Sequence, residues 1–311
     1  MRYYGEDGRA LLSAGADRAL RYTSVVRDSR GYELSQGSSS AKSLIFVMLT
    51  TTRSGSIAKR ATHLGIAPSS LKLPVITSIA YSTSRSKDWD DVVTTHEGES
   101  RGRTWSVEGK RVGKFTIVAD APVQVRFIFV VRIDDVLIVS CQTTAVTACG
   151  NFGLVGTTSG QVVLYNMQSG MKRKVFKIPL AGLNDSKGKQ VTGIATDALN
   201  RVVVVSTLKG GLHVSTFTGV SKTVTDFCEQ FFDFQTMKLV YSISVPASIT
   251  AILLQRDNGL VALTCDDLTV RIVDIETRRV VRELTGFRGR VLDLVSPFTL
   301  STGQPADLRD E

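Results

Sequence analysis

The sequence predicts an all-β chain, an incomplete β-propeller of about five partial four-stranded blades with irregular insertions. Two observations carry that prediction. Apolar residues fall at every second position or in short bursts bounded by Gly, Asn, Asp and Ser, with little helical periodicity. A unit of turn, apolar strand, turn, strand ending in an aromatic-polar or Val-Asp pair, turn and basic-apolar strand also recurs along the chain.

Gly150 to Phe176 shows the unit best. There Leu154-Val155-Gly156, Val162-Val163-Leu164-Tyr165-Asn166 and Lys174-Val175-Phe176 are separated by the turns Thr158-Ser159-Gly160 and Gln168-Ser169-Gly170. Asn258 to Leu284 repeats it, with the turn residues Asp266-Asp267 and Glu276-Thr277. Weaker copies run from Gly8 to Val26, from Asp90 to Phe115 and from Asn200 to Ile243, with third strands expected to end at Tyr22, Trp105-Ser106 and Phe232-Asp233. Asn-Gly chemistry at Asp257-Asn258-Gly259 and Gly150-Asn151-Phe152-Gly153 supplies turns between strands. A β-sandwich is the competing architecture, disfavoured by the repeat.

Short antiparallel strands are marginal alone, so such units must stack, and a period of roughly 40 to 45 residues is that of a blade. The step from Asp233 to Asp274 is 41 residues. Two longer steps demand insertions, and segments 125–142 and 214–230 are the candidates. Removing them shortens steps of 60 and 67 residues to 42 and 50. Each begins with Val and ends with Gln, as a translated unspliced intron would, because Val codons start GT and CAG encodes Gln. Residues 28–70, rich in Ser, Arg, Lys and Thr, are expected as a long irregular excursion between blades. The expected organisation is a partial propeller over 1–285, then the truncated start of a further blade and an irregular tail over 286–311.

The chain has 311 residues, 42% hydrophobic and 22% charged, enough to bury one or two cores and too apolar for a wholly disordered or collagenous chain. Lys and Arg number 38 against 29 Asp and Glu, giving +9, a balance that suits polyanionic neighbours and equally a merely basic surface. Cys141, Cys149, Cys228 and Cys265 form no C-x-x-C pair, so a reducing compartment is the default. Met1 to Arg9 is too charged for a signal peptide. The uncharged span from Val136 to Met171 is broken by glycines and reads as short strands, with no membrane segment.

Catalytic patterns fail on their spacing. Gly182 to Gln190 resembles a phosphate loop but has five residues between its glycines, and Gln190 stands where Ser or Thr is required. His63, His96 and His213 are scattered, so neither a metal site nor a cofactor is expected. His96-Glu97 falls in a turn with no nucleophile at a fixed offset, and Asp90-Asp91 and Asp266-Asp267 read as turn residues bonding their own backbone. No enzyme is expected. The candidate RNA or partner contacts are two cation clusters on outer strands: Lys172, Arg173, Lys174 and Lys177, and Arg278, Arg279, Arg282, Arg288 and Arg290. A solvated edge strand protected by charge explains them too, and no aromatic stacking platform is interleaved with them.

Several runs carry a family resemblance: Ser13-Ala14-Gly15-Ala16-Asp17, Lys87-Asp88-Trp89-Asp90, Ala148-Cys149-Gly150-Asn151-Phe152, Tyr165-Asn166-Met167-Gln168-Ser169-Gly170, and Asp274-Ile275-Glu276-Thr277-Arg278 followed by Val281-Arg282-Glu283. In kind and order they resemble the U3 small nucleolar RNA-associated WD-repeat proteins of the small-subunit processome, and only the middle of those proteins. The resemblance implies WD-repeat blades and a non-catalytic scaffold in the nucleolus of the nucleus. It implies other processome proteins as partners, with U3 small nucleolar RNA and precursor ribosomal RNA met indirectly or through the backbone, and neither a membrane nor a small-molecule substrate. Gly286-Phe287-Arg288-Gly289-Arg290-Val291 resembles the opening of a further blade, with Phe287 where His is usual. A generic WD-repeat adaptor outside ribosome synthesis, such as a substrate receptor, is the alternative.

Overall fold

The structure, a computed structural model, describes residues 1–5, 8–26, 31–36, 57–118, 141–177, 190–218, 236–255, 259–289 and 291. Its strands form five four-stranded antiparallel sheets, each taking its strands in chain order. Blade one holds β1 (Arg2–Tyr4), β2 (Ala10–Ala14), β3 (Leu20–Ser24) and β4 (Tyr32–Glu33). Blade two holds β5 (Ile76–Tyr81), β6 (Val92–His96), β7 (Arg101–Ser106) and β8 (Arg111–Val118). Blade three holds β9 (Cys141–Val146), β10 (Phe152–Thr157), β11 (Gln161–Asn166) and β12 (Lys172–Lys177). Blade four holds β13 (Val191–Thr196), β14 (Val202–Thr207), β15 (Gly211–Thr218) and β16 (Thr236–Ser244), and blade five β17 (Ile249–Leu254), β18 (Leu260–Cys265), β19 (Val270–Asp274) and β20 (Arg279–Leu284). The first strands face a common axial channel of about 360 Å³, lined among others by Arg2, Ser78, Thr144, Thr192 and Thr250, which makes the sheets blades of a β-propeller.

Apolar bursts occupy the middle strands because a blade is covered on both faces by its neighbours. In β11, Val162, Val163, Leu164 and Tyr165 are all buried, and all of β6 is buried. Four apolar clusters join successive blades. Leu12, Leu20 and Leu34 meet Val92 and Trp105 between blades one and two. Val93 and Ile117 meet Val155, Val163 and Met167 between two and three. Leu154 and Leu164 meet Val191 and Val203, and Val204 and Leu212 meet Ile249 and Leu263, at the next two joints. Each joint removes several large side chains from water, at about 1.5–3 kcal/mol apiece before the cost of ordering the chain. By contrast every residue of β20 is exposed.

The repeat extends to its irregularities. A bulge interrupts the pairing of first and second strands in blades two to five, between Ile76 and Ser78, Gly156 and Thr157, Val191 and Gly193, and Ile249 and Ala251. In three of these blades the residue at the bulge pairs its hydroxyl across the strands: Thr77 with Thr95 at 2.9 Å, Thr192 with Ser206 at 3.0 Å and Thr250 with Thr264 at 2.7 Å.

The third strand of blade four corrects the sequence reading. It is Gly211–Thr218, and Phe232-Asp233 lie outside the described residues. Val202 pairs with Thr216 where Phe152 pairs with Asn166 and Leu260 with Asp274, so Ser215-Thr216 hold the place sought for an aromatic-polar pair. Val214 is buried within that strand although it opens segment 214–230. Residues 219–230 and 125–140 lie outside the described residues. Within 28–70, Tyr32–Glu33 form β4, Ile57–Leu64 form helix α1, and a 3-10 turn spans Pro68–Leu71. Ser35 bridges to Arg111 of blade two. The phosphate-loop-like run Gly182 to Lys189 is also outside the described residues.

Candidate functional site

Three runs that are remote in sequence, 87–90, 148–152 and 165–170, converge where blade two meets blade three. The loop from β5 to β6 folds on itself, with Asp88 and Trp89 N–H donating to the Arg85 carbonyl at 3.0 and 3.2 Å. It then reaches the β9–β10 turn. Ser82 and Ser84 hydroxyls donate to the Ala148 carbonyl at 3.0 and 2.7 Å, and the Trp89 indole N–H donates to the Gly150 carbonyl at 2.9 Å. The Arg85 guanidinium lies 5.7 Å from the Trp89 ring centre and pairs with Asp88 at 3.4 Å.

The opposite wall comes from β8 and the β11–β12 turn. Asn166 shapes that turn: its side-chain oxygen accepts from Ser169 N–H at 2.9 Å, and its carbonyl accepts from Gly170 N–H at 2.9 Å. Gly170 has φ +68, and a Cβ there would sit 2.2 Å from the Phe115 ring, so only glycine allows both the backbone and the contact. The Tyr165 hydroxyl donates to the Val118 carbonyl. Between the walls lies a cleft of about 590 Å³ lined by Arg85, Lys87, Trp89, Lys114, Phe115 and Gln168, together with Asp88 and Asp90. That volume falls within the range of ligand sites. Trp89 and Phe115 are half-buried, while Lys87, Lys114 and Gln168 are exposed.

The paired aspartates are structural and correct the reading of them as self-bonded turn residues. Both are buried. One Asp90 oxygen accepts from the Thr104 hydroxyl at 2.7 Å and from Lys114 N–H at 2.8 Å, fixing β8 beneath the cleft. Asp91 accepts from Val107 N–H at 3.0 Å and from the Tyr4 hydroxyl of blade one. Burial pushes the Asp91 carboxyl up to about 6, and burial with the neighbouring Asp91 carboxylate raises the Tyr4 hydroxyl. His96 is likewise not in a turn: it ends β6 fully buried, its Nε2 3.0 Å from Thr94 Oγ1 and its Nδ1 2.8 Å from the Pro74 carbonyl oxygen, and burial lowers its pKa. Thr94 also accepts from the Trp105 indole at 2.7 Å, so this cluster holds the blade together. Among the described residues no group of His, Cys, Asp and Glu is arranged to hold a metal.

The candidate cations lie on outermost strands but are not brought together. Lys172, Arg173, Lys174 and Lys177 are on β12 of blade three, whereas Arg279 and Arg282 are on β20 of blade five with Arg278 in the preceding turn. Arg288 is exposed beyond β20, and Arg290 lies outside the described residues. Aromatic rings lie beside two of them: Lys174 Nζ is 5.9 Å from the Phe176 ring centre, and the Arg278 guanidinium 4.3 Å from that of Tyr241. Tyr241 belongs to blade four, so only folding reveals that pair. The cleft residues Arg85, Lys87, Trp89, Lys114 and Phe115 were not singled out as a site from sequence, because 61 residues separate Trp89 from Gly150.

Residues 1–299 match the family described as WDR36/Utp21 second beta-propeller domain. The chain is 36% identical over 291 residues to the U3 small nucleolar RNA-associated protein 21 homolog of Schizosaccharomyces pombe, covering 94% of this chain and 26% of that protein. It is 30% identical over 294 residues to WD repeat-containing protein 36 of Homo sapiens, covering 94% and 27%. It is 31% identical over 281 residues to the U3 small nucleolar RNA-associated protein 21 of Saccharomyces cerevisiae, covering 90% and 24%. The chain thus spans about a quarter of the length of these relatives. With five WD-type blades around one axis and a match over nearly its whole length, the chain belongs to the WDR36/Utp21 second β-propeller family.

Proposed function

We propose that this propeller is a non-catalytic scaffold of the small-subunit processome, supporting U3 small nucleolar RNA-dependent processing of the 18S ribosomal RNA precursor in the nucleolus. The observation that carries the reading is the family match, together with relatives whose names associate them with U3 small nucleolar RNA. Rims and outer strands meet partner proteins, and exposed cations meet RNA backbone secondarily. The exposed cations of β12 and β20 support this, because a Lys or Arg that neutralises a phosphate gains affinity by releasing counterions.

Depletion of the protein followed by quantification of precursor ribosomal RNA tests the reading. Accumulated precursor and reduced 18S RNA are expected, and unchanged 18S processing overturns it. Co-purification gives a second measure: processome subunits and U3 RNA are expected, whereas ligase or signalling subunits in their place identify a generic adaptor.

A further inference from the structure

We propose that the cleft between blades two and three binds single-stranded RNA, with Lys87 and Lys114 on phosphates and Trp89 and Phe115 against a base. The inference rests on the reading of this propeller as a subunit that meets RNA, and assigns the contact to residues outside the cation clusters named from sequence. Lys87 and Lys114 approach from different elements, the β5–β6 loop and β8, and neither has an ion-pair partner among the described residues. Two half-buried aromatic rings line the same space. Cations beside aromatic faces are what nonspecific single-strand binding uses, since backbone charge and base stacking act together.

An acidic peptide fits less well. Its carboxylates could meet the lysines, but it offers no flat π-face to the Trp89 and Phe115 rings that line the same space. For a base the Asp88 carboxylate accepts an exocyclic amine, and the exposed Gln168 amide both donates and accepts. The walls are also held before any ligand arrives, by Trp89 on Gly150, Ser84 on Ala148 and Phe115 on Gly170, which limits the ordering cost of binding. Lys172 and Arg173 follow Gly170 by two and three residues at the exposed start of β12.

The full 311-residue chain has two tryptophans, and Trp105 is fully buried, so a change in emission on ligand binding reports Trp89. A short oligouridylate at low salt is expected to quench that emission. The charge reversals Lys87→Glu and Lys114→Glu together, on two exposed side chains, should weaken binding about tenfold or more. Arg201→Glu with Lys209→Glu, on two exposed side chains of blade four, should leave the quench intact. Oligouridylate binding that is unaffected by the cleft reversals overturns the cleft assignment while leaving RNA contact by the propeller standing, and complete absence of quench overturns the cleft assignment as well. Preferential capture of a polyglutamate peptide makes the cleft a peptide site and overturns the inference as well. Failure of the processome reading is seen separately, as unchanged 18S processing after depletion.

Discussion

The Trp89 indole N–H donates to the Gly150 carbonyl at 2.9 Å and so ties the β5–β6 loop of blade two to the β9–β10 turn of blade three. The ring also carries the Arg85 guanidinium, 5.7 Å from its centre. Trp89→Phe keeps an aromatic surface but removes the donor and leaves that carbonyl without its indole partner. The expected loss is about 1–2 kcal/mol, typical of one part-buried hydrogen bond and some packing. Chemical denaturation of the two proteins measures it, and an unchanged midpoint would show that the loop is held without this bond.

Asp91 makes stability depend on pH in an unusual sense. Burial raises its carboxyl to about 6, above the unfolded value of 3.8, so the folded state binds the proton more tightly than the unfolded one. Its contribution is therefore complete below the unfolded pKa and is lost as pH rises from about 4 through about 6, by on the order of 2–3 kcal/mol. Asp267 behaves oppositely. The hydrogen bond from Arg271 holds it at about 2, so its contribution is present above about 4 and lost as pH falls through that lower value. Stability measured across this range should fall less steeply between pH 4 and 6 in Asp91→Asn, and should lose part of its acid limb in Asp267→Asn. An Asp91→Asn profile parallel to that of the unmodified chain would refute the assignment.

What the sequence revealed was local. The turn at Gly160 and the strand Val162 to Asn166 could be read because alternation and turn chemistry lie within a few residues of each other. The partners of Asp90 and Asp91 could not, because Thr104, Lys114 and Tyr4 come from other strands, and in the last case another blade. Blade four shows a different limit. The repeat predicts an aromatic-polar pair at Phe232-Asp233, yet register gives the matching strand position to Ser215-Thr216, because pairing with Val202 and Val203 decides it whatever the side-chain type. The cleft required three distant runs to meet, a relation that no spacing encodes.

Close packing between blades three and four sets a limit on side-chain size. A Cβ on Gly156 would lie 2.6 Å from Val191 Cγ1 and 2.8 Å from Thr143 Cγ2, too near for either to remain in place. Gly156→Ala is expected to cost about 1–3 kcal/mol through overpacking. Gly289→Ala, where nothing lies within 4 Å, is the control and should change stability by no more than about 0.5 kcal/mol. Equal midpoints for the two variants would mean that the joint yields without cost.

Leu268 occupies a backbone position that its neighbours along the ring give to glycine. In the turns between second and third strands, Gly160 and Gly210 have φ +78 and +79, and Leu268 stands at the matching place in blade five with φ 60. A Cβ in this left-handed region costs roughly 1–2 kcal/mol, because it crowds the following carbonyl. The side chain recovers little, being 38% exposed. The turn is held instead by Asp267, whose carboxylate accepts from Thr269 N–H at 3.2 Å and from its hydroxyl at 2.6 Å, and neither bond involves residue 268. Replacing Leu268 by Gly relieves the strain but gives the unfolded chain more freedom, a penalty of about 0.5–1 kcal/mol. Strain relief exceeds that penalty, so Leu268→Gly should stabilise the chain by about 0.5–1 kcal/mol. Leu268→Asn, whose short polar side chain tolerates the left-handed region, should gain less. A thermal denaturation series over the three proteins checks the order, and a midpoint for Leu268→Gly below that of the unmodified chain would show that the leucine makes a contact worth more than the strain it causes.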